Sequence, residues 1–283
     1  MPELPEIHTI TTDLNSMISG YSIKKVTVAT NYRVSPNNTE FNKRLTGKTI
    51  KQVRRIAKNI IIEMEPKDFL VIHLGLTGRV LVRKPEEIND KWVWVVLRLG
   101  NKVDTKDLKY CDMRMFGKIG VLSEEEVEKL SQSYGPEPLN EIKDPKEFLN
   151  IIRSKKTIIK NILMDQSIVS GMGNIYVMDA LFMAGIHPET PTRNITLEMA
   201  HKLLTSSKEI LGEGIAHRGA TLPDKMYVDP YGREGTQQQY FKIYMKKNCP
   251  VCGGKVTFKK IGGRGTYFCP VCQPLNALGS LPL

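Results

Sequence analysis

Residues 249–272 read Cys249-Pro-Val-Cys252-Gly-Gly-Lys-Val-Thr-Phe-Lys-Lys-Ile-Gly-Gly-Arg264-Gly-Thr-Tyr-Phe-Cys269-Pro-Val-Cys272. Two Cys-x-x-Cys turns bracket 16 residues, with a Gly-Gly-Arg-Gly stretch between two short β-type runs. Each turn points two thiolates at one ion, and a hairpin brings the turns together into a tetrahedral four-cysteine set with no open position. Cys249, Cys252, Cys269 and Cys272 are therefore the expected ligands of one structural zinc, which stiffens a hairpin too small to fold alone. Reduced thiols in an ordinary core are a poorer reading, because Pro250, Pro270 and Gly253-Gly254 suit turns rather than packed strands. Arg264 falls near the expected hairpin tip.

Moving outward, the hairpin sits in a basic region. Seven Lys or Arg and no Asp or Glu lie between Lys242 and Arg264, and smaller basic groups occur at Arg54-Arg55-Lys58 and Arg153-Lys155-Lys156-Lys160. The 283-residue chain carries a formal net charge of +11. Bulk charge alone is compatible with any basic soluble protein; its clustering favours a phosphate backbone as partner. With 41% hydrophobic residues the chain can build real cores, which argues against disorder. The longest apolar stretches, Phe69–Leu76 and Trp92–Leu99, are strand-sized, and the N-terminus lacks a basic segment ahead of an apolar one. The expectation is a cytoplasmic, nucleoid-associated protein with no membrane partner, whose paired cysteines bind metal rather than form disulfides.

The texture of the chain divides it. Leu4, Ile7, Ile10, Leu14, Met17 and Ile18 have helical spacing, with Pro5 in the first turn and Glu3 and Glu6 at the positive end of the helix dipole. Short β-type runs follow at Ile23–Val28, Ile60–Met64, Phe69–Leu76, Val80–Val82, Trp92–Leu99 and Lys118–Leu122, which predict an antiparallel sandwich or barrel. After Leu122 the pattern turns helical, opening with the capping-box spacing Ser123 to Glu126 and a second start at Asp144-Pro145. Helices are predicted near 157–165, 174–184 and 197–211, then a long loop over 213–238. The expected domains are an N-terminal β-sandwich at 1–132, a linker at 133–143, a helical domain with a long loop at 144–238, a zinc hairpin at 239–274, and a tail at 275–283. The fold class is thus α+β with several domains.

Pro2 offers another kind of chemistry. Removal of Met1 would expose a secondary α-amine, whose pKa near 8 leaves a useful neutral fraction at pH 7. Such an amine attacks a carbonyl-like carbon to form a Schiff base, and Glu3 and Glu6 stand close by in sequence to move protons. Read alone, Pro-Glu-Leu-Pro-Glu fits an ordinary helix start better than a catalytic one.

The opening Pro2-Glu3-Leu4-Pro5-Glu6 resembles the start of the formamidopyrimidine-DNA glycosylase and endonuclease VIII family. So do Lys156-Thr157-Ile158-Ile159-Lys160 through Gly171-Met172-Gly173-Asn174-Ile175-Tyr176, which resemble its helix–two-turns–helix motif, then Ala184-Gly185-Ile186-His187-Pro188, and the zinc hairpin. The resemblance spans residues 2–274 in order. It implies a monomeric bifunctional DNA glycosylase and AP lyase acting on double-stranded damaged DNA. Pro2 would attack C1′, Glu3 would assist ring opening, and Glu6 would support the same site. Lys58 would contact phosphate near the lesion. Lys160, Asn174 and Arg264 would hold the DNA backbone. Asp112-Met113-Arg114-Met115-Phe116-Gly117 and His73-Leu74-Gly75-Leu76-Thr77-Gly78 resemble the loops that fill the space left by an extruded base, with Arg114, Phe116 and Leu76 as fillers and His73 on DNA. Without the resemblance, Leu76 and Phe116 read as core residues, and Cys111 as a buried structural thiol.

The chain departs from the family pattern at Leu76, where Met is usual, at Met115 in place of a second arginine, at His8, and in the 218–222 loop. Leu4 leans towards the branch that removes oxidised purines such as 8-oxoguanine. The alternatives are the same mechanism on oxidised pyrimidines or other adducts, and a non-catalytic damaged-DNA-binding protein, which would have no need of the Pro2-Glu3 pair.

Overall fold

The computed structural model describes residues 2–275, so Met1 and the tail from Asn276 onward lie outside the described residues. The chain forms two compact units: one takes the residues up to Gln132 together with Gly214–Gln238, the other Ser133–Glu213 together with Gln239 onward.

The first unit begins with helix α1 (Leu4–Ile18), whose Leu4, Ile7, Ile10, Leu14 and Ile18 are fully buried, as the 3.6-residue spacing requires. Eight strands follow among the described residues: β1 (Ser22–Val28), β2 (Thr49–Ile56), β3 (Asn59–Glu65), β4 (Asp68–His73), β5 (Gly78–Arg83), β6 (Val93–Gly100), β7 (Thr105–Asp112) and β8 (Lys118–Leu122). A short helix α2 (Asn38–Leu45), capped by the Asn37 side chain, interrupts the run between β1 and β2. The strands hydrogen-bond into one continuous antiparallel sheet, ordered β5-β7-β6-β1-β2-β3-β4-β8, rather than into two separate sheets. A single apolar cluster takes side chains from α1 and from strands across the sheet, including Ile7, Ile10, Ile23, Ile60, Ile62, Val80, Leu97, Leu108 and Val121. The opposite face of β3 and β4 buries Ile61 and Phe69 against Val127 of helix α3 (Glu124–Gln132), whose start has the reciprocal Ser123–Glu126 hydrogen bonds read from the sequence.

The sequence pattern missed β2, β7 and α2. In β7, Asp107 and Lys109 are charged yet buried, because Asp107 pairs with Arg98 and Lys109 with Asp90. Buried charges in compensated pairs break the apolar alternation on which a strand reading depends.

The second unit is helical: α4 (Pro145–Ile152), capped by Asp144, then α5 (Ile159–Met164), α6 (Asn174–Met183) and all but the last three residues of α7 (Leu197–Ala216). It closes with a two-stranded hairpin, β9 (Thr257–Ile261) and β10 (Arg264–Phe268), turned by Gly262 and Gly263. Both glycines have positive φ, at 57° and 79°, which a two-residue hairpin turn demands and glycine supplies without strain. Asp179 of α6 is 1% exposed, and its carboxylate accepts the backbone N–H groups of Lys242, Ile243 and Tyr244 at 2.9–3.2 Å. That buried acceptor receives the chain as it re-enters the unit.

The division differs from the expected one at residues 214–238. The sequence reading put them in the helical domain; they group instead with the sheet. The reason is specific: Tyr227 is buried in the sheet core, and Val82 of β5 donates its N–H to Pro230.

Candidate active site and nucleic-acid interface

The first turn of α1 is built around two buried carboxylates. Glu3 is the N-cap residue, Glu6 sits three residues on, and each is only 3% exposed. The pair forms a capping box: the Glu3 side chain takes the backbone N–H of Glu6, and Glu6 Oε2 takes that of Glu3 at 2.8 Å. Glu6 Oε1 accepts a further N–H, from Ala220, at 2.8 Å. Both Glu6 oxygens therefore hold backbone, one on each side of the first turn. Pro2, which precedes this box, is buried.

Lys58 lies in the tight turn between β2 and β3, 6% exposed, beside Ala57 with φ of 48°. Burial, and then the Lys58 and Lys118 ammonium groups, hold His73 below the ordinary histidine range. Its Nδ1 accepts the N–H of Gly75 at 3.2 Å, so the neutral ring carries its proton on Nε2. The Lys58 ammonium thus helps keep the His73 ring uncharged.

The two expected filler loops are tied by one buried residue. Asp112 is fully buried; its Oδ1 accepts the Thr77 hydroxyl and the Arg114 N–H, and its Oδ2 accepts Gly117 N–H at 2.8 Å and the Tyr110 hydroxyl at 3.2 Å. One carboxylate therefore fixes the loop of Leu76 and the loop of Arg114 and Phe116 to each other. Leu76 is half-buried, Arg114 is exposed, and Phe116 is 61% exposed. A phenylalanine that far out is no core residue, and Met113, Met115 and Trp92 are each about two-fifths exposed around it. Cys111 is buried, and burial pushes its thiol up to about 11.

In the second unit the expected backbone-binding residues divide. Arg264 is exposed at the start of β10. Lys160 is 1% exposed instead of presented to solvent; its ammonium donates to the Thr266 hydroxyl and, at 3.4 Å, to the Ile261 carbonyl. Burial, and then the Arg264 guanidinium, lower it to about 8. Asn174 donates Nδ2–H to the Gly265 carbonyl at 3.0 Å, while its Oδ1 is buried without a hydrogen-bond partner. Lys160 and Asn174 thus fasten the hairpin from α5 and α6, and Arg264 is what they hold out.

The four cysteine sulfurs of the hairpin base lie within 4.8 Å of one another, with Cys249–Cys272 at 3.7 Å and Cys252–Cys269 at 3.5 Å. A tetrahedron of 2.3 Å zinc–sulfur bonds has edges of about 3.8 Å, whereas a disulfide needs about 2.05 Å. The donor set fits zinc.

Sequence reading missed Asp112 as the tie, and missed an ion cluster in which Arg218 contacts Asp13 and Asp229. Asp112 could have been suspected from its place at the head of a Gly-containing loop. For Arg218, partners 205 and 11 residues away leave no local signal.

Comparison with known proteins gives a consistent result. Residues 1–119 match the family model of the formamidopyrimidine-DNA glycosylase N-terminal domain, 134–225 that of the formamidopyrimidine-DNA glycosylase H2TH domain, and 246–275 that of a zinc finger found in FPG and IleRS. The formamidopyrimidine-DNA glycosylase of Chloroflexus aurantiacus is 33% identical over 276 residues, covering 96% of this chain and 98% of that relative. That of Aliivibrio fischeri is 36% identical over 280 residues, covering 96% and 98%. A Lactococcus lactis Fpg mutant crystallised with Fapy-dG containing DNA superposes with a TM-score of 0.88 at 33% identity, covering 96% of this chain and all of that one. The Lactococcus lactis Fpg in complex with an abasic site containing DNA gives 0.87 at 32% identity, again covering 96% and all. Among the described residues, no helix is long and apolar enough to cross a membrane.

Proposed function

The chain belongs to the formamidopyrimidine-DNA glycosylase family, and from that premise we propose that it removes oxidised purines from duplex DNA and then cleaves the strand. It is a DNA glycosylase of base excision repair with one structural zinc on Cys249, Cys252, Cys269 and Cys272. The observation that carries the finer reading is the capping box at the N-terminus. It holds the Glu3 and Glu6 carboxylates on a buried helix start within four residues of Pro2, which supports a role for them beside the terminal amine.

With Met1 removed, the neutral Pro2 amine attacks C1′ of the damaged nucleotide. Glu3 delivers a proton to the ring oxygen, the sugar opens, the base departs, and an iminium joins Pro2 to C1′. Loss of the C2′ proton then expels the 3′ phosphate, and a second elimination expels the 5′ phosphate. Lys58 and the Nε2–H of His73 are the nearby groups for the phosphate beside the lesion. Leu76, Arg114 and Phe116 occupy the space vacated by the extruded base, which offsets part of its unstacking cost. Arg264 binds the flanking phosphates. Lys160 and Asn174 serve DNA through the hairpin they hold. The enzyme acts as a cytoplasmic monomer on nucleoid DNA. Met115 in place of a cation favours a broader choice of opposite base, and keeps oxidised pyrimidines as the second substrate class.

Borohydride trapping tests this reading. A duplex with 8-oxoguanine opposite cytosine should give a covalent adduct with the wild type and none once the N-terminal amine is acetylated. Glu3→Gln should bind the duplex normally and slow base release by about 10²- to 10⁴-fold, the usual range for a positioned acid or base. A band with abasic DNA but not with 8-oxoguanine moves the substrate elsewhere. No band with either, from protein lacking Met1, refutes the lyase.

A further inference from the structure

Resting on that reading, we infer that Arg218 is a positioning residue for base release: it locks the 218–221 turn onto α1, so that the turn forms a fixed wall beside the damaged base. Arg218 has φ of 59°, in the left-handed region that a non-glycine residue enters at a cost. Something must hold it there. Its guanidinium contacts Asp13 of α1 and reaches Asp229 at 2.6 Å, and its carbonyl accepts the Tyr227 hydroxyl at 2.7 Å. The two acids are 12% and 2% exposed, and Asp229 is also held by Arg233 at 2.8 Å. Tyr227 is itself anchored in the sheet core.

The next residues show what the lock serves. Gly219 has φ of 79° and lies so close to Glu6 that a Cβ would come within 2.7 Å of Glu6 Cγ and 2.9 Å of Oε1. Ala220 then gives its N–H to Glu6 Oε1. The turn is thereby clamped at two heights on α1, at Asp13 through Arg218 and at Glu6 through Ala220. A sugar attacked at C1′ by Pro2 carries its base one bond from that carbon. The base must therefore lie beside the first turn of α1, where residues 218–221 stand. An abasic sugar carries no base, and needs no such wall.

The experiment compares two rates in one protein. Arg218→Gln, Arg218→Lys and Asp13→Asn are assayed in single turnover on an oxidised-purine duplex, 8-oxoguanine or formamidopyrimidine, whichever the wild type releases faster, and on a pre-formed abasic site. Arg218→Gln should slow base release tenfold or more while abasic cleavage stays within twofold, and Arg218→Lys should recover part of the loss. Asp13→Asn, which keeps Asp229, should fall between. Base release unchanged in Arg218→Gln overturns the inference. So does a parallel fall in both rates, which would mark a general loss of structure. A wild type that cleaves neither substrate refutes the lyase reading itself, and is distinct from both.

Discussion

The first turn of α1 and the zinc hairpin hold their working groups by opposite means. At α1 the order is long-range: Ile7, Ile10 and Leu14 disappear into the sheet core, Glu3 and Glu6 are buried, and Ala220 meets Glu6 from 214 residues away. At the hairpin a short local pairing is fastened by single hydrogen bonds from Lys160 and Asn174. Five paired residues per strand and a Gly-Gly turn carry Arg264, with Phe258 63% exposed and Val251 and Val271 largely in solvent. The comparison teaches where a metal is needed. A segment that cannot bury much apolar surface has to be cross-linked, whereas one that joins a large core can hold even charged groups in place.

That contrast can be broken by removing the staple. Cys252→Ser should abolish zinc binding and weaken duplex binding by about 100-fold or more, because the hairpin loses most of the free energy that folds it. The sheet should keep its far-ultraviolet dichroism and its thermal transition. Loss of that transition together with the zinc would show that the units are not independently ordered.

A smaller effect sharpens the same comparison. Arg264→Ala should leave zinc content unchanged and weaken binding about tenfold, with the slope of log K against log salt falling in magnitude by about 1, as one phosphate contact is lost. An unchanged salt slope would mean that Arg264 does not meet a phosphate.

The smallest effect comes from the buried lysine behind Arg264. Lys160 falls to about 8 in the folded protein against about 10.5 in the unfolded chain. Between those values the unfolded chain binds a proton that the folded one has released, so stability should rise with pH from about 8 to 10.5. Lys160→Met should flatten that rise in a series of denaturant midpoints. A rise of equal size in the variant would assign it to another group.

Much of this architecture was legible in the chain. α1, six of the strands, the helix starts at Ser123 and Asp144, and the four-cysteine set all rest on local spacing, and local spacing is what a sequence displays. The parts that stayed hidden depend on partners far away. β7 was obscured because Asp107 and Lys109 are buried against Arg98 and Asp90, and the place of residues 214–238 is decided by Tyr227, Arg218 and Ala220 finding α1 and the sheet. Lys160 lies in the helical unit, but its burial under Thr266 and Ile261 could not be read from a lysine in a basic run.

The return of residues 214–238 to the N-terminal unit has a consequence in time. A ribosome completes the sheet when it reaches Gln132, yet the strip that closes over Glu6 and Asp13 is made only at Gly214–Gln238. At about 5–20 residues per second, synthesis of residues 133–238 takes on the order of 5–20 s. Throughout that interval the nascent chain carries the Glu3–Glu6 capping box without the Ala220 N–H that Glu6 Oε1 accepts, so this buried carboxylate gains its last backbone partner only when the second unit is nearly finished.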